Sequence, residues 1–194
     1  EGFHVAMVAR NFAKLAEHQR SLQQDGITGS CHIADAADPD ALAGAIDAVQ
    51  SEHGGATVAV YNVANIKWKS LLEETAASLV DDFRVNVAGA LTMIRAVLPA
   101  MRQVNSGTIL LTSSMFATKP IAGFGSLSIG KAGIRSLAYS LAGALKDTGI
   151  HVATLTIQGQ VKPDDAHRSP EVIADACWRL NGERPGEFSV EIDI

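Results

Sequence analysis

The sequence predicts an α/β protein built on a doubly wound parallel sheet with helices on both faces. Strand-like and helix-like segments alternate along the whole chain, and the strand-like ones are continuous apolar runs, not in/out alternations. Runs of that kind are buried on both faces, as in a parallel sheet covered by helices. No repeat or low-complexity linker interrupts them, so residues 1–194 are expected to form a single domain. Right-handed crossovers then place any ligand outside the carboxyl ends of the strands.

Gly2–Ala9 is the first apolar run of strand type. Asn11 is placed to cap a helix whose apolar face is Phe12, Leu15, Ala16 and Leu22, and Gly26 ends it. A second strand is expected over Thr28–Ala34, stopping at Asp35. Asp38 followed by Pro39 is an N-cap with proline in the first helical turn, and Leu42, Ala45, Ile46 and Val49 then recur at helical spacing. Thr57–Tyr61 is the third strand. The longest helical pattern covers Thr75–Val104, with Leu79, Phe83, Ala90, Leu91, Ile94, Leu98 and Met101 on one face. Pro99 near its end predicts a kink or a late break. Thr108–Thr112 is strand four, and Ser126–Lys146 is a helix rich in small residues, which admits close neighbours. His151–Ile157 is strand five, Ser169-Pro170-Glu171 opens a short helix through Leu180, and Phe188–Ile194 is strand six.

The chain has 194 residues, 47% hydrophobic, enough for a substantial core. A net charge of −5 without a Lys/Arg-dense stretch speaks against nucleic acid. Cys31 and Cys177 are too isolated for a metal site and read as small core residues of a reducing compartment. The six histidines have no metal-like spacing. No apolar run approaches the ~20 residues of a membrane span, and no signal peptide opens the chain, so a cytoplasmic location is expected.

The stretch Gly107–Lys131 carries the chemistry: a buried strand, the pair Ser113-Ser114, a Gly-rich loop, and a helix bearing Lys131. It resembles the active-site segment of the short-chain dehydrogenase/reductase family, in which a strand ends in serine and a Tyr-x-x-x-Lys motif follows. Ser114 and Lys131 match the serine and lysine. Asn86, in Val85-Asn86-Val87-Ala88-Gly89, matches the asparagine of the family's tetrad. Asn62 and Ala64, in Tyr61-Asn62-Val63-Ala64, stand where the family has Asn-Asn-Ala-Gly. Gly159 and Val161, in Gln158-Gly159-Gln160-Val161, resemble its Pro-Gly-x-Val segment.

The resemblance implies a Rossmann-like fold, a nicotinamide cofactor, and hydride transfer to or from a small carbonyl or alcohol substrate. It also implies homodimers or homotetramers paired through the two long helices. Asn86, Ser114 and Lys131 would be catalytic, and Arg10, Asp35, Asn62, Ala64, Lys131, Gly159 and Val161 would hold the cofactor. Arg10 follows the first strand where no acidic side chain is present to accept from a ribose hydroxyl, and a guanidinium suits the 2′-phosphate, so NADP(H) is favoured over NAD(H). Read alone, Arg10 is equally a solvated helix-start residue and Asp35 a loop aspartate. Asn86 can serve broken-helix backbone, Ser114 can cap a strand end, and Lys131 can be surface charge.

Three departures stand out. The tyrosine position is Leu127, which neither gives nor takes a proton; Ser126 and Ser128 flank it but are poor acids, Tyr139 lies roughly 12 Å along the helix beyond Lys131, too far to substitute without a bend, and Tyr61 at a strand end is the remaining donor to consider. General acid/base catalysis is worth ~10²–10⁴-fold, so a site without it is expected to be impaired, or the chain to be a non-catalytic nucleotide-binding or scaffold subunit. The family's first strand and Gly-rich turn have no counterpart, so the strands around Gly2–Ala9 and Thr57–Tyr61 should pair directly or leave a gap. The opening residue is Glu1, and a preceding segment is expected. Between Val161 and Ser169, where the family has a long substrate loop, there is only Lys162–Arg168.

Overall fold

The structure is a computed structural model and describes residues 2–194. In chain order the elements are β1 (Val5–Ala9), α1 (Phe12–Gln24), β2 (Gly29–Ile33), α2 (Pro39–His53), β3 (Val58–Tyr61), α3 (Ala76–Phe83), a π-helical turn (Arg84–Ala88), α4 (Gly89–Val104), β4 (Gly107–Ser114), a 3₁₀ turn (Met115–Ala117), α5 (Gly125–Ala144), β5 (Ile150–Ile157), α6 (Pro170–Asn181) and β6 (Glu191–Asp193).

The helix starts follow from their caps. Asn11 accepts from the Lys14 amide, Asp38 from Asp40 and Ala41, Thr75 from Ser78, and Ser169 from Val172. Each satisfies donors that have no partner inside the helix. Pro39 and Pro170 stand in first turns, where no amide is needed. Asn105 closes α4 in the left-handed region at φ 48°.

All strand pairs are parallel, but they form two sheets: β1-β2, and β3-β4-β5-β6. Of the two outcomes expected for the missing strand, the chain leaves a gap. Alternate residues of β4 and β5 feed two cores. Ile109, Leu111 and Val152 pack with α2, α4 and α5 through Leu42, Ile46, Met93, Val97 and Ile134. Leu110, Ala153 and Leu155 pack against Ala176 and Leu180 of α6.

Several boundaries differ from the sequence reading. The helix expected over Thr75–Val104 is divided by the π turn at Arg84–Ala88. Pro99 does not end α4, which runs on to Val104. Phe12, Phe83 and Leu91, assigned to apolar helix faces, are 61%, 43% and 41% exposed. The first and last strands shorten to Val5–Ala9 and Glu191–Asp193, the residues in register with a neighbouring strand. Among the described residues no helix is long and apolar enough to cross a membrane.

Candidate active site

β4 delivers the centre of the site. Thr112 sits near its C-terminal end and joins two flanking elements. Its Oγ1 donates to Asn62 Oδ1 at 2.9 Å, just beyond β3, and its carbonyl accepts from Lys131 Nζ of α5 at 2.8 Å. Ser113 Oγ donates to the Lys131 carbonyl at 3.3 Å, fastening α5 to the same strand. Lys131 is buried, and desolvation lowers its ammonium pKa to about 8. The surface-charge reading of Lys131 is therefore wrong. Ser114 Oγ accepts from the Phe116 amide at 3.3 Å, capping the 3₁₀ turn.

Asn86 lies in the π turn and is 1% exposed. Such turns hold one extra residue and open the backbone ladder. Its Oδ1 accepts from the Asn65 amide at 2.7 Å, while its Nδ2 is buried without a partner. Gly130 of α5 packs on it: a Cβ at that position would lie 2.7 Å from Asn86 Cβ. Glycine is what lets α5 come this close.

The candidate replacements for the missing phenol are committed elsewhere. Leu127 itself is buried, at 4% exposure. Tyr61 donates its hydroxyl to the Val85 carbonyl of the π turn, and burial, with the Asp35 charge, pushes its pKa well above the usual phenol range. Tyr139 donates to Glu191 Oε2 at 2.8 Å. Ser128 donates to the Phe124 carbonyl within its own helix.

Sequence reasoning missed a buried polar cluster beside this centre. Asp82 of α3 is fully buried, with Lys67 Nζ and Asn65 Nδ2 each at 2.7 Å from Oδ1 and Oδ2 left without a partner. Burial alone would raise its carboxyl. Hydrogen bonds from Lys67 and Asn65, with the Lys67 charge, outweigh that and hold it below the usual range. A signal existed: Asp82 is one helical turn before Asn86, on a stretch otherwise read as apolar.

The nucleotide-side residues form a second group. Arg10 Nη1 and Asp35 Oδ2 are 3.6 Å apart at the ends of β1 and β2. They line, with Asn62 and Ala64, a cavity of about 1030 Å³ that continues down between β1 and β3. Gly159 lies beyond β5 under the Arg168 guanidinium, and Val161 is exposed on the following loop. The short stretch 162–168 is a compact turn in which Asp165 accepts from the His167 and Arg168 amides and pairs with Arg168 at 2.9 Å. Asn86, Ser114, Gly159 and Val161 are not part of the cavity wall that Arg10 and Asp35 share.

Donors of the kind a dinucleotide takes stand in two groups: the Arg10 guanidinium on the cavity wall, and, off that wall, the buried Lys131 ammonium on the Thr112 carbonyl with the unpartnered Asn86 amide. Among the described residues there is no Gly-rich turn to cradle a pyrophosphate.

Comparison with known proteins agrees with this fold. The family model described as short chain dehydrogenase matches residues 1–168. 3-Dehydrosphinganine reductase TSC10B of Arabidopsis thaliana is 33% identical over 80% of this chain and 47% of its own length. Dehydrogenase/reductase SDR family member 4 of Homo sapiens is 30% identical over 80% of this chain and 56% of its own. The chain thus spans about half the length of these curated relatives. A solved metagenomic short-chain oxidoreductase in complex with NADP superposes with a TM-score of 0.89 at 25% identity, covering 100% of this chain and 85% of that one. L-sorbose reductase from Gluconobacter frateurii, complexed with NADPH and L-sorbose, shares the fold at a TM-score of 0.89 and 21% identity, over 98% of this chain and 85% of its own. The chain belongs to the short-chain dehydrogenase family of oxidoreductases.

Proposed function

We propose that this chain binds NADP(H) in preference to NAD(H) and serves hydride exchange with a small carbonyl or alcohol substrate, with weakened proton transfer. The observation that carries the reading is the convergence on Thr112, where Lys131 Nζ and the Asn62 side chain meet at the end of β4. A bound nicotinamide would give hydride to a carbonyl or take it from an alcohol. Lys131 would bind the ribose hydroxyls, its ammonium already desolvated and held on the Thr112 carbonyl. Asn86 Nδ2, a buried donor without a partner, holds a water or a substrate oxygen. Ser114 keeps its hydroxyl proton free to donate, since its oxygen only accepts from Phe116. Arg10 grips the 2′-phosphate, and the adjacent Asp35 limits how strongly it does so.

Leu127 favours a second reading, in which the chain binds nucleotide without turnover as a sensor or subunit. The half-exposed apolar residues Val80, Phe83, Leu91 and Ile129 on α3, α4 and α5 support self-association under both readings. The test is a fluorescence titration with NADPH and with NADH, followed by turnover assays on activated carbonyl compounds. The first reading expects NADPH to bind more tightly, Arg10→Ala to erase that preference, and Lys131→Ala to weaken binding of both. Binding without turnover, unrelieved in Leu127→Tyr, would select the second; no binding of either nucleotide would overturn both.

A further inference from the structure

An aromatic wall runs outward from the candidate active site along two loops that hold each other. Ser114 Oγ accepts from the Phe116 amide at 3.3 Å. The Phe116 ring lies 5.1 Å from Phe124, and Phe124 meets Trp68 edge-on at 4.8 Å, centroid to centroid. Phe124 stands at the start of α5, where its carbonyl accepts from the Ser128 amide, so the wall passes the helical turn that carries Leu127. It begins at Ser114 and ends in solvent at Trp68, which is 76% exposed.

The outer part of the wall is apolar and fixed in place. Asn65 and Lys67 turn inward to Asp82, while Ile66 and Trp68 are exposed. The Lys69 amide donates to the Gly123 carbonyl at 2.8 Å, pinning this loop to the one before α5. Gly123 and Gly125 make room for the side chains above them. A Cβ at 123 would lie 2.7 Å from Trp68 Cζ2, and one at 125 would collide with Leu71. Leu71, Leu72 and Ile121 extend the exposed apolar surface. Contiguous surface of this kind marks a site of interaction. Charge decides which occupant it fits. Lys67 is held by Asp82 at 2.7 Å and Lys69 by Glu74 at 3.5 Å, so both lysines interleaved with the wall are neutralised. Lys119 of the facing loop lines a separate hollow with Arg135 and Asp193. The wall thus favours an uncharged ligand over an anionic headgroup or an acidic peptide.

We propose that this wall selects uncharged carbonyl compounds bearing an extended alkyl or aryl group, with the carbonyl at Ser114 and the apolar group laid along Phe116, Phe124 and Trp68. The carbonyl end of the proposal rests on the hydride-exchange reading above. Burying a methylene in full is worth about fourfold in affinity. One laid against a wall, with its other side in water, gains about half that free energy, or roughly twofold. Trp68 and Phe124 then set how strongly chain length is read.

The test uses vicinal diketones from butanedione to decanedione, which are uncharged and activated, on the chain carrying Trp178→Phe, so that Trp68 is its one tryptophan. With NADP⁺ present, decanedione should shift Trp68 emission to the blue and saturate, and decanoate should bind at least tenfold more weakly. With NADPH, kcat/KM should rise about twofold per added methylene. Trp68→Ala should flatten that series, Trp68→Phe should keep part of it, and NADPH affinity should be unchanged in both. Equal binding of decanoate overturns the proposal, as does turnover indifferent to chain length. So does a blue shift with protein concentration alone, meaning a second copy covers the wall, or with phospholipid vesicles but not decanedione, meaning a lipid surface. Saturable decanedione binding without turnover of any diketone would uphold the wall and sink the hydride reading.

Discussion

The two sheets of this chain are made of the same kind of sequence and reach different states of burial. β4 and β5 have eight residues each, nearly all buried, with a strand on either side and helices on both faces. β1 and β2 have five each, mostly half-buried, and pair only with one another. Val60, at the edge of β3 that faces the gap between the sheets, is 49% exposed, whereas Leu110 in the neighbouring strand is 1% exposed. Apolar composition prepares a parallel strand for burial. Only its neighbours on both edges and both faces complete it.

The strongest way to break this contrast is to truncate equivalent side chains in the two sheets. Leu155→Ala, at a fully buried site, should lower unfolding free energy by about 2–5 kcal/mol in urea denaturation. Val8→Ala, in half-buried β1, should lower it by less than about 1.5 kcal/mol. Equal losses would mean that the two sheets are equally consolidated.

Lys131 gives the next largest effect, in the larger sheet's favour at high pH. Its folded pKa of about 8 lies below the value of 10.5 for a free side chain. Between those limits the unfolded chain holds more protons, so stability rises with pH and levels off above the window. The rise should be on the order of 3 kcal/mol, read from denaturation at a series of pH values, and Lys131→Met should flatten it.

Smaller effects test the edges. Asp38→Ala removes the cap of α2, which lines the cavity between β1 and β3, and should cost about 1 kcal/mol and speed exchange in β1 and β2 more than in β4. Tyr139→Phe removes one donor to Glu191, whose carboxylate also receives Arg135 and Thr156, and should cost about 0.5 kcal/mol by thermal melting.

The strands, their order and most helix starts were legible because caps and apolar runs are local signals. Asn11, Asp38 and Ser169 each cap the helix that the sequence assigned to them. The site was legible in part. Asn62 and Lys131, singled out by their motifs, both bond Thr112, which had no sequence mark of its own. Asp82 escaped because a carboxylate on an amphipathic helix reads as solvated; only tertiary packing places Lys67 and Asn65 on it. The Arg10–Asp35 pair joins residues from successive strands, a contact set by the sheet and not by either segment.

The π turn at Arg84–Ala88 has a consequence for how this chain can tolerate insertion and deletion. An α-helix advances 100° per residue, and a π turn absorbs one residue beyond that count. The apolar stripe of α3 and that of α4 are therefore out of step with an uninterrupted helix. Deleting one residue inside 84–88 would restore regular winding and turn Met93, Ile94 and Val97 only slightly relative to α3, because four residues at about 100° cover nearly the rotation of the five in the π turn. Those three side chains would keep their core, and the deletion would be felt at Asn86 and the backbone groups that the turn opens. The irregular turn is the phase adjuster that lets one length of sequence serve two faces.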